Sequence, residues 1–263
     1  SSTHATIVFV SELQRDLFQP SGASCVIYLG VEEPAEDEES LAPQEEGCDE
    51  DVFTILMLGV VCPRKGQLQM VDVFKKLRDI HTGGRKLRLC CVGARNGRSY
   101  EDDYLRDVEE AIGGDPDIHL HGIVDKAVAA AFLQQADCLV VNSSNEVTPL
   151  VIAEAFARKV PVVSTQVGGI SEMFNNNVEG FFFEGEDELL QVLCLLLRDP
   201  ALAKEVGIMG YARYLKQFSI QRMVDQYAET ILHVAPPLLL IDMDGVLVDW
   251  DQGFSEQWCS YFN

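Results

Sequence analysis

The chain has 263 residues, 47% of them hydrophobic and 24% charged, which supports one large or two smaller buried cores and excludes a disordered or fibrous protein. Its 20 Lys and Arg face 42 Asp and Glu, and the formal charge of −22 repels phosphate backbones and anionic lipid, which argues against nucleic acid and membranes as partners. The longest apolar stretch, Leu189 to Leu197, is broken by Gln191 and falls short of the roughly 18 to 20 residues that a membrane span requires, so the chain reads as soluble.

Ser1 is followed by no charged segment and apolar run of the kind that marks secretion, and a start other than Met leaves room for an upstream part of the protein. Residues 6 to 30 hold an apolar run, a helical Ser11 to Phe18 and a second run ending at Gly30, the pattern of the tail of an α/β unit. Between Glu32 and Asp51 stand eleven acidic residues, no Lys or Arg, and Pro34 and Pro43, so residues 31–51 read as a solvated acidic linker. That linker supplies half of the net charge.

From Val52 onward, short apolar runs alternate with longer amphipathic stretches, the signature of βαβ units on a parallel sheet. Buried strands are predicted at Val52 to Leu58, Leu87 to Val92, Ile118 to Leu120, Cys138 to Val141, Val160 to Ser164 and Gly180 to Phe183. Helices are predicted near Gln67 to Ile80, Tyr100 to Ile112, Ala127 to Gln135, Leu150 to Ala157 and Glu188 to Leu197, with further helix from Asp199-Pro200 to about His233. Residues 52–234 therefore form a doubly wound α/β domain. Pro236-Pro237 ends the last helix, and Leu238 to Ile241 opens a new strand, so residues 235–263 read as the truncated start of a second α/β domain.

The eight cysteines, Cys25, Cys48, Cys62, Cys90, Cys91, Cys138, Cys194 and Cys259, form no Cys-x-x-Cys pair, and several lie in core-like runs, which indicates a reducing, cytoplasmic setting. Asn142-Ser143-Ser144 has the form of a glycosylation acceptor but ends a buried run and is discounted. His119 and His121 share one face of a short strand with no third ligand, so they read as packing residues. Asn175 to Asn177 reads as a turn.

Two constellations carry chemistry. In Ser144 to Ala155, Pro149 sits at the first turn of a helix, where its missing N–H costs nothing. The following amides of Leu150 and Val151 lie at the positive end of the helix dipole and are suited to a phosphate at the carboxyl edge of the sheet. Glu146 precedes the helix and Glu154 lies about a turn inside it, a spacing that suits one carboxylate to a sugar at the loop and the other to ribose hydroxyls. In Leu238 to Trp250, an apolar strand delivers Asp242 and Asp244, two residues apart on one face, followed by Gly245. That spacing suits attack on phosphorus by one carboxylate and proton transfer by the other.

In its full context the first constellation resembles the Glu-x7-Glu region of the retaining glycosyltransferases of family 4, which have the GT-B fold and nucleotide-sugar donors. Val26 to Val31, Leu58 to Gly66, His119 to Val124, Ala136 to Val141, Lys159 to Val163 and Val167 to Glu172 match in order, so the resemblance runs from about Ala5 to Ile231. It implies that Glu154 binds the ribose, that Glu146 sits beside the donor sugar near the reaction centre, and that the Leu150 and Val151 amides cradle the diphosphate. It aligns Lys65 with the lysine that neutralises the leaving diphosphate, places Gly93 in the same cleft, and sets Ile123 and Val124 beside the base. Many members carry Arg after the glycine that corresponds to Gly59. This chain has Val60 there, and Arg64 is the alternative phosphate ligand.

The second constellation resembles the first motif of haloacid-dehalogenase-like phosphatases, and its continuation through Asp251, Gly253 and Phe254 is similar to the 5'(3')-deoxyribonucleotidase group. That resemblance implies Asp242 as nucleophile, Asp244 as general acid/base, and Mg²⁺ held by both once the domain is complete.

The expected protein is thus the C-terminal, donor-binding half of a GT-B enzyme, residues 1–30 being the tail of the N-terminal domain and its junction, with a nucleotide-sugar donor, an unidentified acceptor and no cofactor for hexosyl transfer. By itself it is expected to bind donor weakly and not to turn over. The rivals are a phosphohydrolase with an accessory nucleotide-binding domain, and a non-catalytic glycosyltransferase domain.

Overall fold

A computed structural model of the protein describes residues 6–34, 52–81, 84–93 and 99–233. Most of the predicted linker and the whole segment bearing Asp242 and Asp244 lie outside the described residues. The described residues divide into two compact units, one of those before Gly30 and after Arg222 and one of those from Gly30 to Arg222.

In the first unit, β1 (Ile7–Phe9) pairs in parallel with β2 (Ser24–Val26), Ile7 opposite Ser24. Between them runs α1 (Glu12–Phe18), started by Ser11, whose hydroxyl oxygen accepts the Gln14 N–H at 3.1 Å. The rings of Phe9 and Phe18 meet at 5.6 Å.

The second unit is built on six parallel strands: β3 (Val52–Leu58), β4 (Lys86–Val92), β5 (Ile118–Leu120), β6 (Cys138–Val141), β7 (Val162–Thr165) and β8 (Gly180–Phe183). Their order is β5-β4-β3-β6-β7-β8. The strands are mostly apolar because helices cover both faces, and all four residues of β6 are buried. Phe53, Ile55, Met57, Leu89, Val140 and Phe181 share one core with α2 (Gln67–Ile80), α3 (Ser99–Ile112) and α7 (Gly185–Arg198). α5 (Leu150–Ala157) packs with α4 (Lys126–Gln135) and α8 (Pro200–Arg213). At the amino edge, Asp137 ties β3 to β6: its carboxylate accepts the Thr54 N–H at 2.8 Å and pairs with Arg85 at 2.8 Å.

The predicted strands and long helices are present, with most boundaries within a residue or so of those expected and a few larger differences. β7 begins at Val162 rather than Val160, because the Val160 N–H is spent on the Ala155 carbonyl in the exit from α5 and Pro161 has none to give. α7 begins at Gly185 rather than Glu188, since the Glu188 carboxylate reaches back to accept the Glu184 N–H at 2.7 Å and so caps an earlier start. A short helix, α6 (Ile170–Met173), follows β7 where a loop is expected, and a π-helical turn at Tyr214–Phe218 separates α8 from α9 (Ile220–His233).

Leu189, Leu193, Leu196 and Leu197 face the core, and no helix among the described residues is long and apolar enough to cross a membrane. His119 and His121 stack on each other, and His121 packs on Phe132 at 4.5 Å. Cys90 and Cys91 lie buried on β4 and Cys138 on β6, and burial pushes the Cys91 thiol up to about 12 and raises that of Cys138 as well.

Candidate functional site

In a doubly wound sheet the crevice lies at the carboxyl edge, where strand order reverses. Here β4 and β5 extend to one side of β3, and β7 and β8 to the other side of β6, so the reversal falls between β3 and β6. The two loops that flank it carry the residues the sequence singles out.

After β3, a single 3-10 turn, Pro63–Lys65, starts with proline in its first position and ends on Gly66, whose φ of +70° is left-handed. A Cβ at Gly66 would stand 2.5 Å from Asn142 Nδ2 and 2.6 Å from Asn142 O. The contact is tight because Asn142, just past β6, donates its side-chain amide to the Gly66 carbonyl at 3.1 Å. The Ser144 N–H adds a second tie, to Arg64 O at 2.8 Å. Asn142, discounted as a glycosylation acceptor, is thus a clamp across the crevice.

After β6, the chain brings Glu146 to Lys65. Lys65 Nζ lies 2.5 Å from Glu146 Oε1, and Arg64 donates to that same oxygen at 3.0 Å and to the Asn145 carbonyl at 2.8 Å. The Glu146 and Lys65 side chains are only 10% and 16% exposed, so this pair is screened less than a surface pair, whereas Arg64 at 47% stands at the rim. The Glu146 backbone is held from behind by Gly168 and Gly169: a Cβ on either would overlap the carbonyl oxygen of Glu146 or Val147.

α5 starts beside Glu146. Pro149 is its N-cap, no side chain caps it, and the first internal bond runs from the Ile152 N–H to the Pro149 carbonyl at 3.1 Å. The Leu150 and Val151 amides therefore precede the helix's own ladder, as the sequence predicts. The buried Thr148 hydroxyl oxygen has no hydrogen-bond partner within the protein. Glu154 sits half-buried a turn inside α5, and its charge, with that of Glu32, raises the Lys126 ammonium, Glu32 being the larger cause.

Gly93 follows β4 with a φ of +136°, and a Cβ there would overlap the Gly59 carbonyl, so the close approach expected of this glycine is to the neighbouring loop. Its N–H donates to Gly122 O at 2.8 Å, which brings the loop carrying Ile123 and Val124 alongside. Ile123 is exposed and Val124 half-buried. Arg64, Lys65, Glu146, Leu150 and Val151 thus gather at the β3/β6 reversal, and Gly93 and Val124 line its β4/β5 side. Sequence reasoning missed Asn142, Gln67, Ser143 and Lys126 as members of this region. A glutamine opening an otherwise apolar helix face was the one available signal.

Among the described residues, no group of three His, Cys, Asp or Glu is arranged to hold a metal ion. The arrangement presents two cations on one carboxylate and a helix N-terminus beside them, a site with positive charge to spare for an anion.

The sequence pattern of the family described as glycosyl transferases group 1 matches residues 38–213. The chain is 28% identical over 192 residues to the trehalose synthase of Rubrobacter xylanophilus, covering 72% of this chain and 45% of that protein. It is 31% identical over 188 residues to the D-inositol 3-phosphate glycosyltransferase of Xylanimonas cellulosilytica, covering 70% and 44%. The chain thus spans less than half the length of these relatives. Among solved structures, a glycosyltransferase from Rickettsia africae superposes with a TM-score of 0.74 at 21% identity, over 88% of this chain and 64% of that one. The Anabaena protein Alr3699/HepE in complex with UDP and glucose superposes with a TM-score of 0.71 at 20% identity, over 87% and 63%. By its sequence, and with the α/β fold of such enzymes, the chain belongs to the glycosyl transferases group 1 family.

Proposed function

We propose that this chain is the donor-binding half of a retaining glycosyltransferase, with a nucleoside diphosphate-hexose as donor. The observation that carries the reading is the convergence of Lys65 and Arg64 on Glu146 at the β3/β6 reversal, beside the uncapped start of α5. In this reading the Leu150 and Val151 amides hold the diphosphate, and Lys65, helped by Arg64, stabilises the charge that develops on it as the glycosidic bond breaks. Glu154 accepts hydrogen bonds from ribose hydroxyls, and Glu146 lies by the donor sugar. Gly93 lets the loops after β3 and β4 close on each other beside the cleft, and Val124 flanks the base. Supporting it are the order of the matched segments and a fold shared with a protein solved in complex with UDP and glucose. Acceptor binding and turnover belong to the whole protein, of which the relatives are about twice as long as the matched segment.

The reading of Asp242 and Asp244 as the start of a phosphatase-like, Mg²⁺-binding unit rests on sequence pattern alone, and in it the Asp242 side chain and the Asp244 backbone carbonyl would hold the metal.

A thermal-shift series with UDP, GDP, ADP and their sugar conjugates, repeated on Glu154→Ala, tests the proposal. A ligand at about 100 times its Kd adds roughly 2.7 kcal/mol, a rise of at least about 5 °C for a folded domain of this size. One base stabilising the parent but not the variant is the expected result. Cooperative melting with no shift at millimolar ligand overturns the reading.

A further inference from the structure

Beneath Lys65, where β3 and β6 part, lies a small cavity of about 10 Å³, walled by Lys65, Gln67, Asn142 and Ser143 and by apolar residues at the ends of the two strands. That is close to the roughly 10 to 15 Å³ that one water molecule occupies. Two polar atoms of residues in its wall, Gln67 Oε1 and Ser143 Oγ, are buried with no hydrogen-bond partner within the protein. Gln67 is 3% exposed and Ser143 1%, so bulk solvent does not satisfy them. The orientation of the glutamine is fixed at its other end: Nε2 donates to the Val60 carbonyl at 2.9 Å, and turning the amide over would lose that bond.

Buried polar atoms are costly unless paired, and a site with two of them in a water-sized space is built for a molecule that both donates and accepts. Lys65 supplies the third partner. Its ammonium has three donors, of which Glu146 takes one. Gln67 opens α2 and Ser143 follows the Asn142 clamp, so the two flank Lys65 from either side of the sheet reversal.

We propose that Gln67 and Ser143 hold one internal water against Lys65, and that this water positions the ammonium at the carboxyl edge. The water donates to Gln67 Oε1, shares a hydrogen bond with Ser143 Oγ and accepts from Lys65 Nζ, the three bonds typical of a buried water. Gln67 and Ser143 are positioning residues that act through Lys65. The functional part of this inference rests on the donor-site reading, and the water site itself does not.

A crystal structure of the chain that resolves ordered solvent tests the site directly. One peak within hydrogen-bonding distance of Ser143 Oγ and Gln67 Oε1 is expected, and a dry cavity overturns the proposal. The positioning role is tested by UDP titration of the parent, Ser143→Ala, Lys65→Met and the double variant. Ser143→Ala should weaken UDP about three- to tenfold in the parent and change nothing further once Lys65 is methionine. An equal loss in both backgrounds, or no loss in either, overturns action through Lys65. Absence of UDP saturation in the parent overturns the donor reading and the positioning role together, leaving the water site to be decided by the electron density.

Discussion

α2 connects two clusters made of the same chemical groups. At its C-terminal end Arg78 pairs with Asp115 through both guanidinium nitrogens, at 2.7 and 2.8 Å, and reaches Asp117 at 3.2 Å. At its N-terminal end Arg64 and Lys65 share one oxygen of Glu146. The first cluster has two carboxylates for one cation, the Asp117 N–H also donates to Asp115, and every donor on Arg78 that bonds finds a carboxylate oxygen. The second has two cations for one carboxylate and keeps ammonium donors for other partners. An ion pair therefore marks a candidate site by the surplus that it leaves, and its presence alone says little.

The largest expected effect falls on the clamp that presents the open cluster. Gly66→Ala forces a side chain onto the Asn142 carbonyl at a left-handed φ and should cost about 3 kcal/mol, read as a fall in Tm of roughly 6 to 12 °C. Next comes Lys65→Met, which should weaken nucleoside diphosphate binding about 10- to 100-fold, the 1.5 to 3 kcal/mol of a charge-assisted bond, while moving Tm little. Calorimetric titration and melting measured together decide it. If stability falls and affinity holds, the open cluster is structural after all and the contrast collapses.

Asp115→Asn should do the opposite, lowering stability by about 1 kcal/mol with nucleotide affinity unchanged, because the pair is partly screened by solvent. The Arg78 hydrogen bond holds the Asp115 carboxyl below the usual carboxylate range. A depressed folded value means the stabilisation is present above the unfolded pKa of about 3.9 and is lost as pH falls through the folded one. Melting curves of parent and variant should therefore differ at pH 7, begin to converge below about pH 4 and meet only below the depressed folded value. The smallest effect is the most diagnostic: Glu146→Gln removes the internal anion from Lys65 and Arg64, so nucleoside diphosphate should bind the isolated chain a few-fold more tightly. Weaker binding would instead assign Glu146 a direct contact with the nucleotide.

Much of the architecture was legible because buried parallel strands are mostly apolar: β3, β5, β6 and β8 begin and end at apolar or small residues, where the sequence places them. The start of α5 was equally legible, since the proline and the small, apolar run after it leave few alternatives, although Pro149 stands at the N-cap, one position before the first turn. Where boundaries slipped, the cause was a side chain or amide acting out of register, as with the Glu188 carboxylate at Glu184 and the Val160 N–H turned back to Ala155. Lys65, Arg64 and Glu146 were readable as charges. Their sharing of one oxygen was not, because it depends on two loops 81 residues apart. Asn142 misled for the same reason, its surface-like motif concealing a partner that sequence proximity does not supply.

The buried thiols have a kinetic consequence. Only a thiolate attacks an alkylating reagent at a useful rate, and Cys90, Cys91 and Cys138 lie in the sheet interior, with burial holding the Cys91 and Cys138 thiols protonated. Their modification must wait for the strands to part, so the half-life of these sulfurs toward a maleimide is a clock for opening of the sheet.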